Sequence, residues 1–508
     1  MNERFTQALE QMKRLDGDVY RLDCISAALE WDQETYMPDE AVNERAAQVA
    51  LINGLQHEKL IHPEWDKLFD EMGYSGEEMP QGLSDADAAF LRETYKRRRK
   101  KVRVSQSLVE ELASRTSLSQ SAWARARKDN DFAAFAPHLE KIIELQKEYA
   151  DAVAPDADPY DTLLDEYEPG ASGKNVAAVF DTLADGLRSI MSRINSGQAP
   201  DASFLEKSYA VDRQDRFGRA VLNDMGYDFS RGRLDLSTHP FTTCLGGQDV
   251  RITTRYDEKL VLSGLFSNIH EGGHGLYEQG ISGNLASTLL ANGTSLGVHE
   301  SQSRFWENMI GRSRPFWERW YGEFSSLFPE NLNGVSVDAF YKAVNTVKPS
   351  LIRVEADEVT YSFHVIARFR LEQALIRGEL AVNDLPKAWN EEYRTLLSID
   401  PPSDAQGCMQ DVHWSVGLFG YFPTYALGNL YAAQFTKVMT EELGDPAELV
   451  RENRTADVLG WLRDNIHVHG GVYLPGELCR RVTRESLNPA YFLEYLDHKY
   501  SGVYGYSR

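Results

Sequence analysis

The chain has 508 residues, 77 acidic and 54 basic, for a formal charge of −23 and an isoelectric point near 5.0. A surface this acidic opposes docking on nucleic acid or anionic lipid, and a hydrophobic content of 42% with 11% aromatics excludes a disordered chain. At about 150 residues per domain, the length accommodates roughly three domains or one large enzyme domain.

The opening MNERFTQALEQMKRLDGDVY has no apolar stretch leading to a small-residue cleavage site, so it does not read as a secretory signal. Apolar residues recur at three- and four-residue spacing over residues 3–14, 43–56, 86–103, 131–153 and 177–195, the period of amphipathic helices. Breakers separate the segments at Met37-Pro38-Asp39, Pro155-Asp156 and Glu168-Pro169-Gly170. The basic run from Lys96 to Arg103 lies on the third of these helices and reads as a solvated face paired with nearby acids. Between Leu234 and Tyr256, Thr/Val/Ile-rich runs flank Gly246-Gly247 and predict a strand pair or hairpin. Helices resume from Asp257, with breaks at Lys348-Pro349 and Pro401-Pro402. The uncharged stretch from Ser415 to Thr436 contains Pro423, Asn429 and Gln434, too polar for a lipid span, and reads as buried core. Cys24, Cys244, Cys408 and Cys479 lie far apart without metal-type spacing and read as reduced thiols of a cytoplasmic protein.

The motif with the most chemistry is His270-Glu271-Gly272-Gly273-His274. On a helix, residues four apart share a face, so both imidazoles reach one Zn²⁺, and Glu271 is left beside a water activated there. Two glycines inside a helix break a local rule and suggest close approach of another backbone or of substrate. A catalytic zinc needs a third protein ligand and an open position. The metzincin pattern would need a glycine at 277 and a histidine at 280, where this chain has Tyr277 and Gly280. The next candidates are His299 and Glu300, about 100° apart on a helix, so one of the two faces the metal. A carboxylate gives the His₂Glu set of thermolysin-type hydrolases. The choice is Glu300, with Gln302 or Arg304 as its supporting partner.

With these residues in place, the chain resembles the M32 family of zinc carboxypeptidases, relatives of the all-helical oligopeptidases. The resemblance rests on His239-Pro240-Phe241, Asp249-Val250-Arg251-Ile252-Thr253, the His-Glu motif, His299-Glu300-Ser301-Gln302, residues 352–357 (IRVEAD) and residues 407–414 (GCMQDVHW), in that order. Trp31-Asp32-Gln33, Met37-Pro38 and residues 465–474 also match. The resemblance implies a mainly α fold: a single elongated helical zincin domain over residues 1–508, split by a deep groove, with the small β element near residues 234–256. The helices up to about residue 130 are read as a lid. The resemblance further implies a metallocarboxypeptidase that releases single C-terminal amino acids from peptides with a free C-terminus, dependent on Zn²⁺ or Co²⁺, and a homodimer. Its metal ligands are His270, His274 and Glu300, with Glu271 as general base and acid.

Hydrolysis also needs donors for a developing oxyanion. His413 and Tyr421 are the candidates, with Tyr425 competing for the tyrosine role. Exopeptidase specificity needs a fixed cation for the substrate carboxylate, which arginine binds as a planar fork. Arg353 is the first choice and Arg251 the second, each with an ion pair to its own motif acid (Asp357 or Asp249) as the structural alternative. His239 either lines the cleft or caps the turn at Pro240. Two rival functions remain at this stage: an endo-oligopeptidase on the same scaffold, and a non-catalytic zinc-containing peptide-binding protein.

Overall fold

The computed structural model describes residues 3–508. Helices α1 (Glu3–Thr35), α2 (Val42–Leu60), α3 (Glu64–Met72), α4 (Asp85–Arg103), α5 (Gln106–Asp129) and α6 (Phe132–Val153) make up the N-terminal part. Three of them start on side-chain caps: Ser84, Ser105 and Asp131 each accept a backbone N–H from the first turn. The predicted helix over 3–14 runs on without a break to Thr35, because its middle buries Asp16 and Gly17, residues that no apolar pattern counts. Asp16 is satisfied there by Arg97 and by the Leu289 amide at 2.7 Å. The basic run on α4 is paired as its sequence suggests: Lys96 with Asp165 at 2.6 Å, Arg98 with Asp66 at 2.6 Å and Lys100 with Glu166 at 2.7 Å.

After α7 (Pro159–Leu164), α8 (Gly173–Ser196) and α9 (Val211–Met225) comes the β element, a three-stranded sheet rather than a lone hairpin. Strands β1 (Gly232–Leu236), β2 (Thr242–Cys244) and β3 (Val250–Thr254) lie in the order β1-β3-β2. The expected hairpin is β2 with β3, antiparallel with Thr242 opposite Ile252, while β1 adds in parallel with Gly232 opposite Val250. Val250, Ile252, Thr253 and Thr254 of the central strand are buried.

Helix α10 (Val261–Gly280) follows the sheet, and α11 (Leu296–Arg304) packs beside it. At Phe305 the α11 helix widens into a π-helical turn, Phe305–Gly311, all of it buried. Next come α12 (Arg314–Leu327), α13 (Pro329–Leu332), α14 (Val337–Val344), α15 (Tyr361–Arg377) and α16 (Leu385–Leu397). The chain ends with α17 (Pro423–Leu443), α18 (Pro446–Arg451), α19 (Thr455–Asn465), α20 (Pro475–Thr483) and α21 (Ala490–Tyr504). The uncharged stretch becomes the loop before α17 and its first turns, largely buried as expected. Among the described residues no helix is long and apolar enough to cross a membrane.

Candidate metal centre

The site is built where α10, α11 and α17 press together. Backbone proximity is set by glycines: a Cβ on Gly273 would lie 2.7 Å from both the Gln302 carbonyl oxygen and the Ser303 Cα, and one on Gly428 would lie 2.5 Å from the Glu300 Cγ. The expected close approach at the paired glycines is therefore that of α11 at Gly273, and of Leu222 at Gly272. This contact seats Glu300 over the two imidazoles. Ligand atoms of His270, His274 and Glu300 all lie within 4.8 Å of one another. Glu300 Oε2 is 3.6 Å from His270 Nε2 and 3.4 Å from His274 Nε2. An edge of about 3.4 Å is what tetrahedral bonds of about 2.0–2.1 Å require, so the donor set and its spacing fit a zinc-like cation. The two imidazole side chains keep 19% and 14% exposure, leaving one side of the triad open to solvent.

Each ligand is held from behind. His270 Nδ1 faces Glu307 Oε2 at 2.9 Å, from the π-helical turn. Arg304 Nε donates to Glu300 Oε1 at 2.7 Å and its Nη1 to Glu307 Oε2 at 3.2 Å, tying the two carboxylates together. Of the two supporting partners considered for Glu300, Arg304 is thus the one in place; Gln302 instead binds His467 Nε2 at 2.8 Å. Burial pushes the Glu300 carboxyl up, but Arg304, His270 and His274 outweigh it and hold it well below the usual carboxylate range. Burial, followed by the neighbouring His299, drives His274 down to about 3, which keeps it the neutral imidazole that ligation needs. Glu271 is shifted the other way, raised by burial despite His270 and Thr242. Thr242 on β2 donates its hydroxyl to Glu271 Oε2 at 2.6 Å, which gives the sheet its role: it positions the carboxylate next to the metal pair.

A second cluster lies across the site, linked to the first through Tyr361. The Arg304 guanidinium lies over the Tyr361 ring at 4.6 Å, and the Tyr361 hydroxyl accepts Arg353 Nη1 at 3.1 Å. Arg353 is buried and pairs with Asp411 at 3.0 Å, not with Asp357; Arg368, fully buried, donates to the other oxygen of Asp411 at 2.7 Å. Asp357 spends its carboxylate on the Val359 and Thr360 amides. Two guanidiniums against one carboxylate leave the cluster one positive charge in excess. His413 lies beside it, with Nε2 3.4 Å from the Tyr425 hydroxyl and Nδ1 buried without a partner among the described residues. The Tyr421 ring packs 5.4 Å from Tyr425 and 5.1 Å from Tyr167.

On the sheet side, Arg251 forms the ion pair with Asp249 that its motif offers, at 2.9 and 2.7 Å, and stacks over Trp31 at 4.2 Å. His239 sits exposed in the turn between β1 and β2, where its carbonyl accepts Ser237 Oγ at 2.7 Å. Sequence reasoning missed Glu307, Tyr361, Arg368 and the part played by His299. An i,i+3 pair of Arg304 and Glu307 is visible in the chain, but nothing in it shows that the helix widens there and turns Glu307 back onto His270.

The profile of the family described as carboxypeptidase Taq (M32) metallopeptidase matches residues 11–500. Thermostable carboxypeptidase 1 of Thermus thermophilus is 42% identical over 511 aligned residues, covering 98% of this chain and 99% of the relative. Thermostable carboxypeptidase 1 of Pyrococcus furiosus is 37% identical, covering 98% and 99%. The crystal structure of the M32 carboxypeptidase from Deinococcus radiodurans R1 superposes with a TM-score of 0.94 at 39% identity, covering 98% of this chain and 100% of the other. With the His-His-Glu cluster in place and the likeness running end to end, the chain belongs to the M32 family of metallocarboxypeptidases, enzymes that depend on a metal to release residues from the C-termini of peptides.

Proposed function

We propose that this carboxypeptidase works with Zn²⁺, with Co²⁺ as a competent substitute, held by His270, His274 and Glu300. A cation held there would supply Lewis acidity to the scissile carbonyl and would make a nearby water a better nucleophile. Glu271 accepts a proton from the attacking water and delivers it to the leaving amine. The raised proton affinity that burial gives its carboxyl favours both the uptake and the temporary storage of that proton, and Thr242 fixes which oxygen faces the reaction. His413 and Tyr421 donate to the developing oxyanion, with Tyr425 bridging the two.

The observation that carries the exopeptidase reading is the excess positive charge of Arg353 and Arg368 around Asp411. Arg353 receives the substrate's terminal carboxylate, while Asp411 and Tyr361 hold the guanidinium rigid in advance. Arg251 and His239 contact the peptide on the sheet side. Residues 1–508 act as a single domain in which the helices to about residue 130 cover the site. In support, Trp31 of α1 lies against Arg251, and Tyr36 donates to Asp235 of β1 at 2.5 Å. We further propose a cytoplasmic homodimer. Sedimentation should give twice 57.5 kDa, and a monomer peak would overturn that assignment.

Arg353→Ala tests the anchor. KM should rise steeply for free-acid peptides and stay near the wild-type value for amidated ones. Equal losses on both would remove Arg353 from the carboxylate site.

A further inference from the structure

The two metal-binding histidines are supported differently. His270 meets a carboxylate directly, whereas His274 Nδ1 meets another imidazole: His299 Nδ1 at 2.6 Å. The far nitrogen of His299, Nε2, lies 2.7 Å from Glu278 Oε1. Only one proton fits between two ring nitrogens at that separation, and its place follows from the ligand geometry. His274 turns Nε2 towards Glu300 Oε2, so that nitrogen must keep its lone pair and the ring proton sits on Nδ1. His299 must then accept at Nδ1 and carry its own proton on Nε2, where a carboxylate is waiting. A single tautomer of each ring satisfies every contact, and Glu278 is the group that selects it.

The packing leaves His299 little freedom to do anything else. Its ring lies between those of His274 at 4.6 Å and Tyr277 at 5.2 Å, and Gly293 presses so close that a Cβ there would sit 2.8 Å from the His299 Cδ2. Glu278 is one helical turn beyond His274 on α10 and 8% exposed, so the chain closes on itself within two helices.

We propose that Glu278 and His299 form a positioning relay that fixes His274 in its Nδ1–H tautomer and so presents Nε2 to the metal. Its carboxylate does for His274, through one intervening ring, what Glu307 does for His270 directly.

This inference rests on the reading of His274 as a metal ligand, and one set of measurements separates the two. Full-length protein is stripped of metal, and the Zn²⁺ dissociation constant is read by competition with a chromophoric chelator. The visible spectrum of the Co²⁺-loaded protein is recorded in parallel. Glu278→Gln, nearly isosteric, lets the amide donate to His299 and permits the wrong tautomer. It should weaken Zn²⁺ binding by about 10- to 100-fold and shift the Co²⁺ bands, while the melting temperature of the metal-free protein stays unchanged. His299→Leu should lose as much, and His299→Gln, whose amide oxygen can accept the His274 proton, should recover part of the loss. In the double variant Glu278→Gln/His299→Leu, the losses should not add. Zn²⁺ affinity of Glu278→Gln within about twofold of wild type, or a Glu278→Gln loss undiminished in the His299→Leu background, would overturn the relay. Should His299→Leu not fold, Glu278→Gln decides alone. If His274→Ala instead kept wild-type Zn²⁺ affinity, the metal-site reading itself would fall.

Discussion

At the scale of single residues, the proposed metal ligands, His270, His274 and Glu300, are distinct from the proposed proton carrier, Glu271. The Glu271 carboxylate accepts the Thr242 hydroxyl and lies outside the His270, His274 and Glu300 cluster. Glu271→Gln should therefore retain full metal stoichiometry and lose roughly 100- to 10,000-fold in kcat, read by atomic emission and peptide hydrolysis on one preparation. Loss of metal in this variant would make Glu271 a ligand instead. The histidine motif was legible in the sequence because two imidazoles on one helix face need a four-residue spacing, and Glu300 because a third, carboxylate ligand was sought after it and the family resemblance implied the same residue. Glu307 and Arg368 were not, since a buried carboxylate and a buried guanidinium look in sequence like any surface pair. Arg353 was legible as a cation but not its partner: Asp411 lies 58 positions away, and only the fold brings the two together.

At the scale of elements, the catalytic geometry is a helix-packing problem. Gly273 and Gly428 let α11 and α17 approach near enough for Glu300 to reach the imidazoles. Gly273→Ala should cost about 1–3 kcal/mol of stability by overpacking and weaken metal binding, because the displaced element is the one carrying Glu300. Unchanged metal affinity would show that α11 does not set the ligand spacing. The segment bearing His413 and Tyr421 is pinned by Glu372 of α15, which accepts Trp414 Nε1 at 2.9 Å, the Tyr160 hydroxyl at 3.0 Å and the Gly420 amide at 3.2 Å. Burial raises this carboxyl from 4.5 to about 8, against the pull of those donors. Between those two values the unfolded chain has released the proton and the folded chain still holds it, so this group makes stability fall as pH rises. Glu372→Gln should flatten that decline in urea unfolding measured between pH 5 and 8, and an unaltered slope would place the dependence elsewhere. The strand pair around Gly246-Gly247 was readable from its Thr/Val/Ile runs. The parallel third strand was not, because its pairing joins segments separated by a whole turn and hairpin. Helix α5 was missed for a related reason: it buries Ser119 and small alanines rather than an apolar stripe.

At the scale of the whole molecule, the proposed ligands come from two helices, so a cation held by them would cross-link the structure. Removing it with a chelator should lower the melting temperature, and Zn²⁺ should restore it in proportion to RT ln(1 + [Zn²⁺]/Kd). The shift should vanish in His274→Ala; its persistence there would locate the stabilising metal elsewhere. The mainly helical fold was legible because amphipathic periods and breakers recur along most of the chain. Burial of charge inside α1 was not, since Asp16 depends on Arg97 and on a backbone amide hundreds of residues away.

The central claim, that one cation held by His270, His274 and Glu300 drives the trimming of free C-termini, is tested most directly by diffraction at the zinc absorption edge on crystals of active protein. The account predicts a single strong anomalous peak at bonding distance from His270 Nε2, His274 Nε2 and Glu300 Oε2. A peak elsewhere, or none in crystals that still release C-terminal residues, would contradict it.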